Sequence, residues 1–240
     1  MKRSMRILAV FLLAAVALGL GAPGLAQGFD IARIYIEYNE SANDLGFHVT
    51  LDGEDWTRLQ IYDPNGTKIV DFTAKGGYKD LGLTELFFEG AEPNLDEFPL
   101  EDLLALFPEG EYTFIGKTVD NEQLISTATL SHNVPAGPSP LSTAAAPACS
   151  GDTIVISWPA VEDPAAILPD GDITVVEYQV IVDPRKSPSS FQVTLPASSR
   201  SVTIPAEYVS TLGGGAHAFE VLAIDVSGNQ TITEGTFVKE

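Results

Sequence analysis

HAFEVLAID (His217–Asp225) runs into VSGN (Val226–Asn229) and then ITEGTFV (Ile232–Val238), close to the end of a 240-residue chain. The outer two segments are rich in apolar, β-branched and aromatic residues. Ser227-Gly228-Asn229 between them is turn chemistry, so the stretch reads as strand, tight turn, strand. Upstream, Phe191–Leu195 and Ser201–Pro205 are two more short candidate strands. Val176, Tyr178, Val180 and Val182 recur at period two, which predicts one apolar face on a further strand. Ile154 and Ile156 alternate in the same way just ahead of Trp158-Pro159.

Taken together, these segments resemble a fibronectin type III domain covering roughly 140–240. Ile154–Pro159 resembles its second strand with the buried Trp, Val176–Val182 its third, and His217–Asp225 its sixth. The resemblance implies a two-sheet sandwich. One position departs from it. The family's sixth strand opens with a Tyr whose hydroxyl bonds back to the preceding loop, beside a Leu that Leu212 can supply. Here His217 stands in the Tyr position, and the expectation is a structural histidine donating that bond from its ring. If the histidine is a pH-sensitive staple, His217→Tyr should stabilise the domain.

Residues 134–150, VPAGPSPLSTAAAPACS, hold four prolines and five alanines without a charge, and read as a hinge. Ahead of it lie more short alternating runs: Ala32–Tyr38, Phe47–Leu51, Leu59-Gln60-Ile61, Ile69–Phe72, Tyr112–Ile115 and Leu124–Leu130. Asp63-Pro64-Asn65-Gly66 is a strong turn signal. Leu100, Leu103, Leu104 and Phe107 fall at helical spacing behind Pro99, with Glu101 and Asp102 in the first turn, so one short helix is expected near 99–107. The YDPNG turn (Tyr62–Gly66) and PEGEYTF strand (Pro108–Phe114) resemble the immunoglobulin-like sandwiches of bacterial exported proteins.

The first residues are of another kind. Lys2, Arg3 and Arg6 precede an apolar run from Ile7 to Leu20, and Gly24-Leu25-Ala26 suits signal peptidase. The expected architecture is therefore all-β: a cleaved signal peptide (1–26), an immunoglobulin-like β-sandwich (27–134), a hinge (135–150) and a fibronectin type III-like domain (151–240).

Three of the 13 Lys and Arg lie in the leader, so the exported chain carries 10 against 33 Asp and Glu, a net charge of −23. Such a surface repels nucleic acid and anionic lipid. After cleavage no segment is expected to insert stably in a membrane. The lone cysteine, Cys149, rules out an internal disulfide and leans toward a bacterial source.

Catalytic signatures are missing. His48, His132 and His217 show no zinc-type spacing, there is no G-x-S-x-G elbow, and Gly213-Gly214-Gly215 lacks the Lys and helix of a phosphate loop. The chain thus reads as non-enzymatic, with no catalytic residues and no cofactor other than candidate calcium. Asn39, Glu40, Asn43 and Asp44 cluster oxygen donors between two strands and are the candidate calcium ligands. Residues 85–111 carry nine acids and no base, and there Phe87, Phe88, Glu89, Asp96, Glu97 and Phe98 form a candidate docking surface. Three N-glycosylation sequons, at Asn39, Asn65 and Asn229, read as turn residues. The expected role is a protein- or glycan-binding module of the bacterial cell envelope or exterior, periplasmic or secreted. The alternative is a structural spacer with no ligand site.

Overall fold

The computed structural model describes residues 28–145, 153–183 and 190–239. The leader, its cleavage point and Cys149 lie outside the described residues.

In the first half the strands are β1 (Ile31–Asn39), β2 (Asp44–Tyr62), β3 (Lys68–Thr73), β4 (Leu83–Glu89), β5 (Gly110–Thr118) and β6 (Gln123–Leu130). Helix α1 (Gly77–Leu81) precedes β4 and α2 (Leu100–Leu106) follows it. Period-two alternation sends Ile34, Ile36 and Tyr38 of β1 inward, where they meet Leu45, Phe47, Val49 and Leu51 of β2 in one buried cluster. Two expected strands are a single one. β2 runs 19 residues, pairing first with β1 and β4 and then, after an irregular register near Asp52–Trp56, with β3 and β5. The charged Gly53-Glu54-Asp55 stretch that looks like a turn is a change of partners within the strand. The helix is present as expected, behind Pro99. It buries Leu103, lays Leu100, Leu104 and Phe107 against the core, and leaves Leu106 exposed. Phe107 stacks on Phe47 with ring centroids 4.1 Å apart.

The second half has β7 (Ser142–Ala145), β8 (Ile154–Ser157), β9 (Val175–Val182), β10 (Phe191–Pro196), β11 (Ser201–Ile204), the short α3 (Ala206–Val209), β12 (Gly215–Asp225) and β13 (Gln230–Lys239). A three-stranded sheet, β11-β8-β7, faces β10-β9-β12-β13 across a core of Ile156, Trp158, Tyr178, Val180, Phe219 and Val221. This is a fibronectin type III-like sandwich. The Trp158 and Tyr178 rings lie 5.5 Å apart, and the Tyr178 hydroxyl accepts the Val161 N–H at 2.9 Å. Val176 departs from the expected face and is 39% exposed. The register of β9 on β12 slips between Ile224 and Asp225, so the residues before Glu177 fall out of alternation.

The corner bond is present in both halves. Tyr112 donates its hydroxyl to the Pro108 carbonyl at 3.0 Å, and burial pushes its phenol up to about 12. His217 makes the equivalent contact, its Nε2 lying 2.9 Å from the Gly213 carbonyl with Leu212 beside the same core. Its other nitrogen, Nδ1, faces the buried Asp183 carboxylate at 2.9 Å. That second partner reverses the expectation for His217→Tyr, because a phenol can serve the carbonyl but leaves Asp183 without the ring.

The two cores share one sheet. β1 and β13 pair in parallel, Glu37 opposite Gln230 and Asn39 opposite Ile232, which joins the strands into the order β10-β9-β12-β13-β1-β2-β5-β6. Asn229 fastens the junction. It is 1% exposed, accepts the Ile36 N–H at 2.7 Å, and donates to the Ser131 and Asn133 carbonyls at 2.7 and 2.8 Å. Thr231 donates to the Pro135 carbonyl. Val134 is buried in the first core, whereas Ala136 and Leu141 pack against the second. Ala165, from beyond the Pro-rich stretch, is buried back in the first core.

Candidate functional site

The residues of β1 and β2 that do not enter the core form the outer face of this shared sheet. On β1 these are Arg33, Tyr35, Glu37 and Asn39, and opposite them on β2 stand Thr50, His48, Gly46 and Asp44. β4 adds Phe87 opposite Thr50 and Glu89 opposite His48.

His48 sits on this outer face yet is only 3% exposed, because three neighbours cover it. The Tyr35 and Phe87 rings approach it at 5.2 and 5.7 Å. Glu92 closes the third side, placing Oε1 3.1 Å from His48 Nε2. Glu92 belongs to the segment after β4, which is pinned alongside β2 by the Gly90 N–H bonding to the Phe47 carbonyl and by an Asp44–Asn94 bridge. Gly46 leaves the space. A Cβ there would lie 2.6 Å from Glu92 Cγ.

Glu37 Oε1 is 4.0 Å from the same imidazole nitrogen, and Glu37 also accepts a hydrogen bond from the Gln230 amide. Burial pushes the Glu37 carboxyl up, His48 and Gln230 hold it partly down, and Glu92 and Glu89 raise it further. Glu37, His48 and Glu92 each bring one donor atom within 4.8 Å of the others.

Beside this cluster lies a groove of about 230 Å³ that crosses the junction between the halves, lined by Arg33, Tyr35, Thr50, Glu177, Gln179 and Gln230 among others. It offers a guanidinium, a phenol ring, a hydroxyl, a carboxylate and two amides. Burial raises the Tyr35 phenol, with a side-chain bond to Thr50 acting against that.

The residues singled out in the sequence are divided by the fold. Asn39 turns its amide oxygen onto the backbone N–H groups of Ser41 and Ala42, both at 3.1 Å, so that oxygen builds the turn. Asn43 has φ +55 and donates to Asp96 at 3.3 Å, which brings one candidate calcium ligand beside one candidate docking residue. Asp44 lies in β2, and Glu40 reaches the other way, with its carboxylate against Gly137. Among the docking candidates, Phe88 faces the first core while Phe87, 52% exposed, and Glu89 face outward. Asp96 and Glu97 are exposed in the turn before α2, and Phe98 is 36% exposed. His132 is structural, its ring nitrogen donating to the Phe107 carbonyl at 2.8 Å.

Glu37, His48 and Glu92 went unread as a group. His48 at an outward strand position was the available signal, and Glu37 lies on the neighbouring strand. Glu92 arrives through a loop whose path no local pattern gives.

No protein-family model matches the chain, and no curated protein matches it. Solved structures do. The FN1–FN3 domains of chicken CNTN1 align at 13% identity over 89% of this chain and 65% of that one, with a TM-score of 0.37. A 1.5-MDa bacterial ice-binding adhesin aligns at 14% over 86% and 63%, TM-score 0.30. The spore cortex lytic enzyme SleM of Clostridium perfringens aligns at 19% over 45% and 28%, TM-score 0.31. This chain thus spans less than two thirds of each of these solved chains. Its own strand order and two cores are what make it an all-β sandwich protein. Among the described residues no helix is long and apolar enough to cross a membrane.

Proposed function

We propose that this is an exported, non-enzymatic binding module of a bacterial envelope or exterior, and that its ligand is a surface glycan held on the outer face of the shared sheet. The observation that carries the reading is the groove across the junction, where the Tyr35 ring is bordered by Thr50, Gln179, Gln230, Glu177 and Arg33. An aromatic face with amides, hydroxyls and charged groups around it suits a polyhydroxylated ring, which needs one apolar platform and several orienting hydrogen bonds. The net charge of −23 narrows the class to neutral or amine-bearing glycans, since acidic ones are repelled.

The test is retention of the exported chain on an immobilised panel of neutral, amine-bearing and acidic oligosaccharides. Tyr35→Ala and Gln179→Ala should each weaken retention, and Gln179→Ala should do so with melting unchanged. Retention of none of the panel, or equal retention of both variants, would sink the proposal. A protein ligand would appear as capture from an envelope extract that soluble glycan fails to compete.

One observation favours a second reading, that of a spacer. The β1–β13 pairing and the buried Asn229 bonds join the two halves through backbone and side chain together, as a load-transmitting part requires.

A further inference from the structure

The Glu37–His48–Glu92 cluster has an imbalance of charge that its own side chains leave uncorrected. One imidazole faces two carboxylates, and a third, Glu89, stands opposite it on β4. The side chain of Glu37 is 19% exposed and that of His48 is 4%. Neither Glu37 nor Glu92 has a Lys or Arg ion-pair partner among the described residues. Placing carboxylates in partly desolvated surroundings is costly unless a cation accompanies them.

The donors are also held in place before any ligand arrives. Glu37 and His48 stand on adjacent paired strands, and Gln230 fixes the Glu37 carboxylate from the far side. Glu92 folds over them through the gap that Gly46 leaves, on a segment tied to β2 at both ends. That gap has no function in the core, since Gly46 lies on the outer face.

We infer that Glu37, His48 and Glu92 bind one divalent transition-metal ion, with Zn²⁺ the best-suited, through the imidazole Nε2 and one oxygen of each carboxylate. The donor set decides the class. Ca²⁺ and Mg²⁺ take oxygen ligands, six or more for Ca²⁺, whereas imidazole with carboxylate suits Zn²⁺ and its neighbours. Three protein donors leave a tetrahedral ion one position for water. Tetrahedral Zn²⁺ with ligands at about 2.0–2.2 Å holds its donors roughly 3.3–3.6 Å apart. The carboxylate oxygens lie 3.1 and 4.0 Å from Nε2, and all three donor atoms lie within 4.8 Å of one another, close to that spacing. The site stands whether or not the neighbouring groove takes a glycan.

The experiment is calorimetric titration of the exported chain, free of any histidine tag, with ZnCl₂, CaCl₂ and MgCl₂ at fixed ionic strength. A 1:1 Zn²⁺ isotherm is expected, with no matching response to Mg²⁺ or Ca²⁺. Cobalt(II) should give visible absorption that Zn²⁺ abolishes. Glu92→Gln, which is partly exposed and safe for folding, should weaken Zn²⁺ by roughly tenfold or more, as loss of one of three donors implies. Gly46→Ala keeps every donor but displaces Glu92, and should weaken it too. Glu97→Gln serves as an unaffected control. No saturable Zn²⁺ binding, an equal response to Mg²⁺, or wild-type affinity in both Glu92→Gln and Gly46→Ala would overturn the assignment.

Discussion

Replacing Asn229 with Ala removes the one side chain that ties β1, the segment after β6 and the β12–β13 turn together. One buried and two half-buried backbone groups lose their partner at once: the Ile36 N–H, and the Ser131 and Asn133 carbonyls. A typical hydrogen bond contributes about 1 kcal/mol net, and a buried group left unsatisfied costs about 1–3 kcal/mol. Some of these groups will recruit water, so the expected loss is about 3–5 kcal/mol. At about 2–4 °C per kcal/mol for a chain of this size, melting should fall by roughly 6–20 °C. Asn229→Asp is the sharper perturbation. It keeps the shape and the acceptor for Ile36, but turns an acceptor oxygen toward two carbonyls that need donors. At neutral pH it should therefore be worse than Ala, and it should recover as acid protonates the carboxyl. Both variants can be followed by calorimetry and urea unfolding at pH 7 and pH 4. An Asp variant as stable as wild type at pH 7, or an Ala variant costing under about 1 kcal/mol, would refute the latch.

His217→Phe keeps the stack on Phe237 but gives up both the Gly213 carbonyl and the Asp183 carboxylate, and should cost about 2–4 kcal/mol in urea unfolding. His217→Tyr should recover part of that and remain below wild type. Glu37→Gln, measured with chelator present, should melt above wild type at pH 7. The sign follows from the raised carboxyl: charge on Glu37 opposes folding, the penalty is absent below the ordinary glutamate value near about 4.3, and it grows as pH climbs through that value toward the raised one. The advantage of Gln should accordingly vanish in acid, and an advantage that persists there would count against burial as its cause.

The second sandwich was legible because its apolar residues alternate strictly and its turns carry Gly and Asn, as in Tyr178–Val182 and Ser227–Asn229. Val176 misled, where a register slip breaks the alternation, and Ser142–Ala145, read within the hinge, is strand β7 of this sandwich. In the first half, Glu85–Glu89 reads as part of an acidic surface, although it lies in strand β4 with Leu86 and Phe88 inward and Glu85, Phe87 and Glu89 outward. Adjacent phenylalanines hide a period of two, and the acids look like solvent-facing loop. Nothing local announces that β2 changes partners at Gly53–Asp55, or that β1 will find β13 nearly two hundred residues away. The cluster around His48 was unreadable for the same reason: its donors come from two strands and a crossing loop.

The parallel pairing of β1 with β13 has a mechanical consequence. Tension entering ahead of β1 and leaving beyond β13 pulls the two neighbours in opposite directions along their common axis. The ladder between them is then sheared, so its bonds, the Asn229 amide included, must yield nearly together instead of parting one by one as in a peeled hairpin. A chain tethered through both flanks would hold its load at the seam between the sandwiches until that seam fails as a whole.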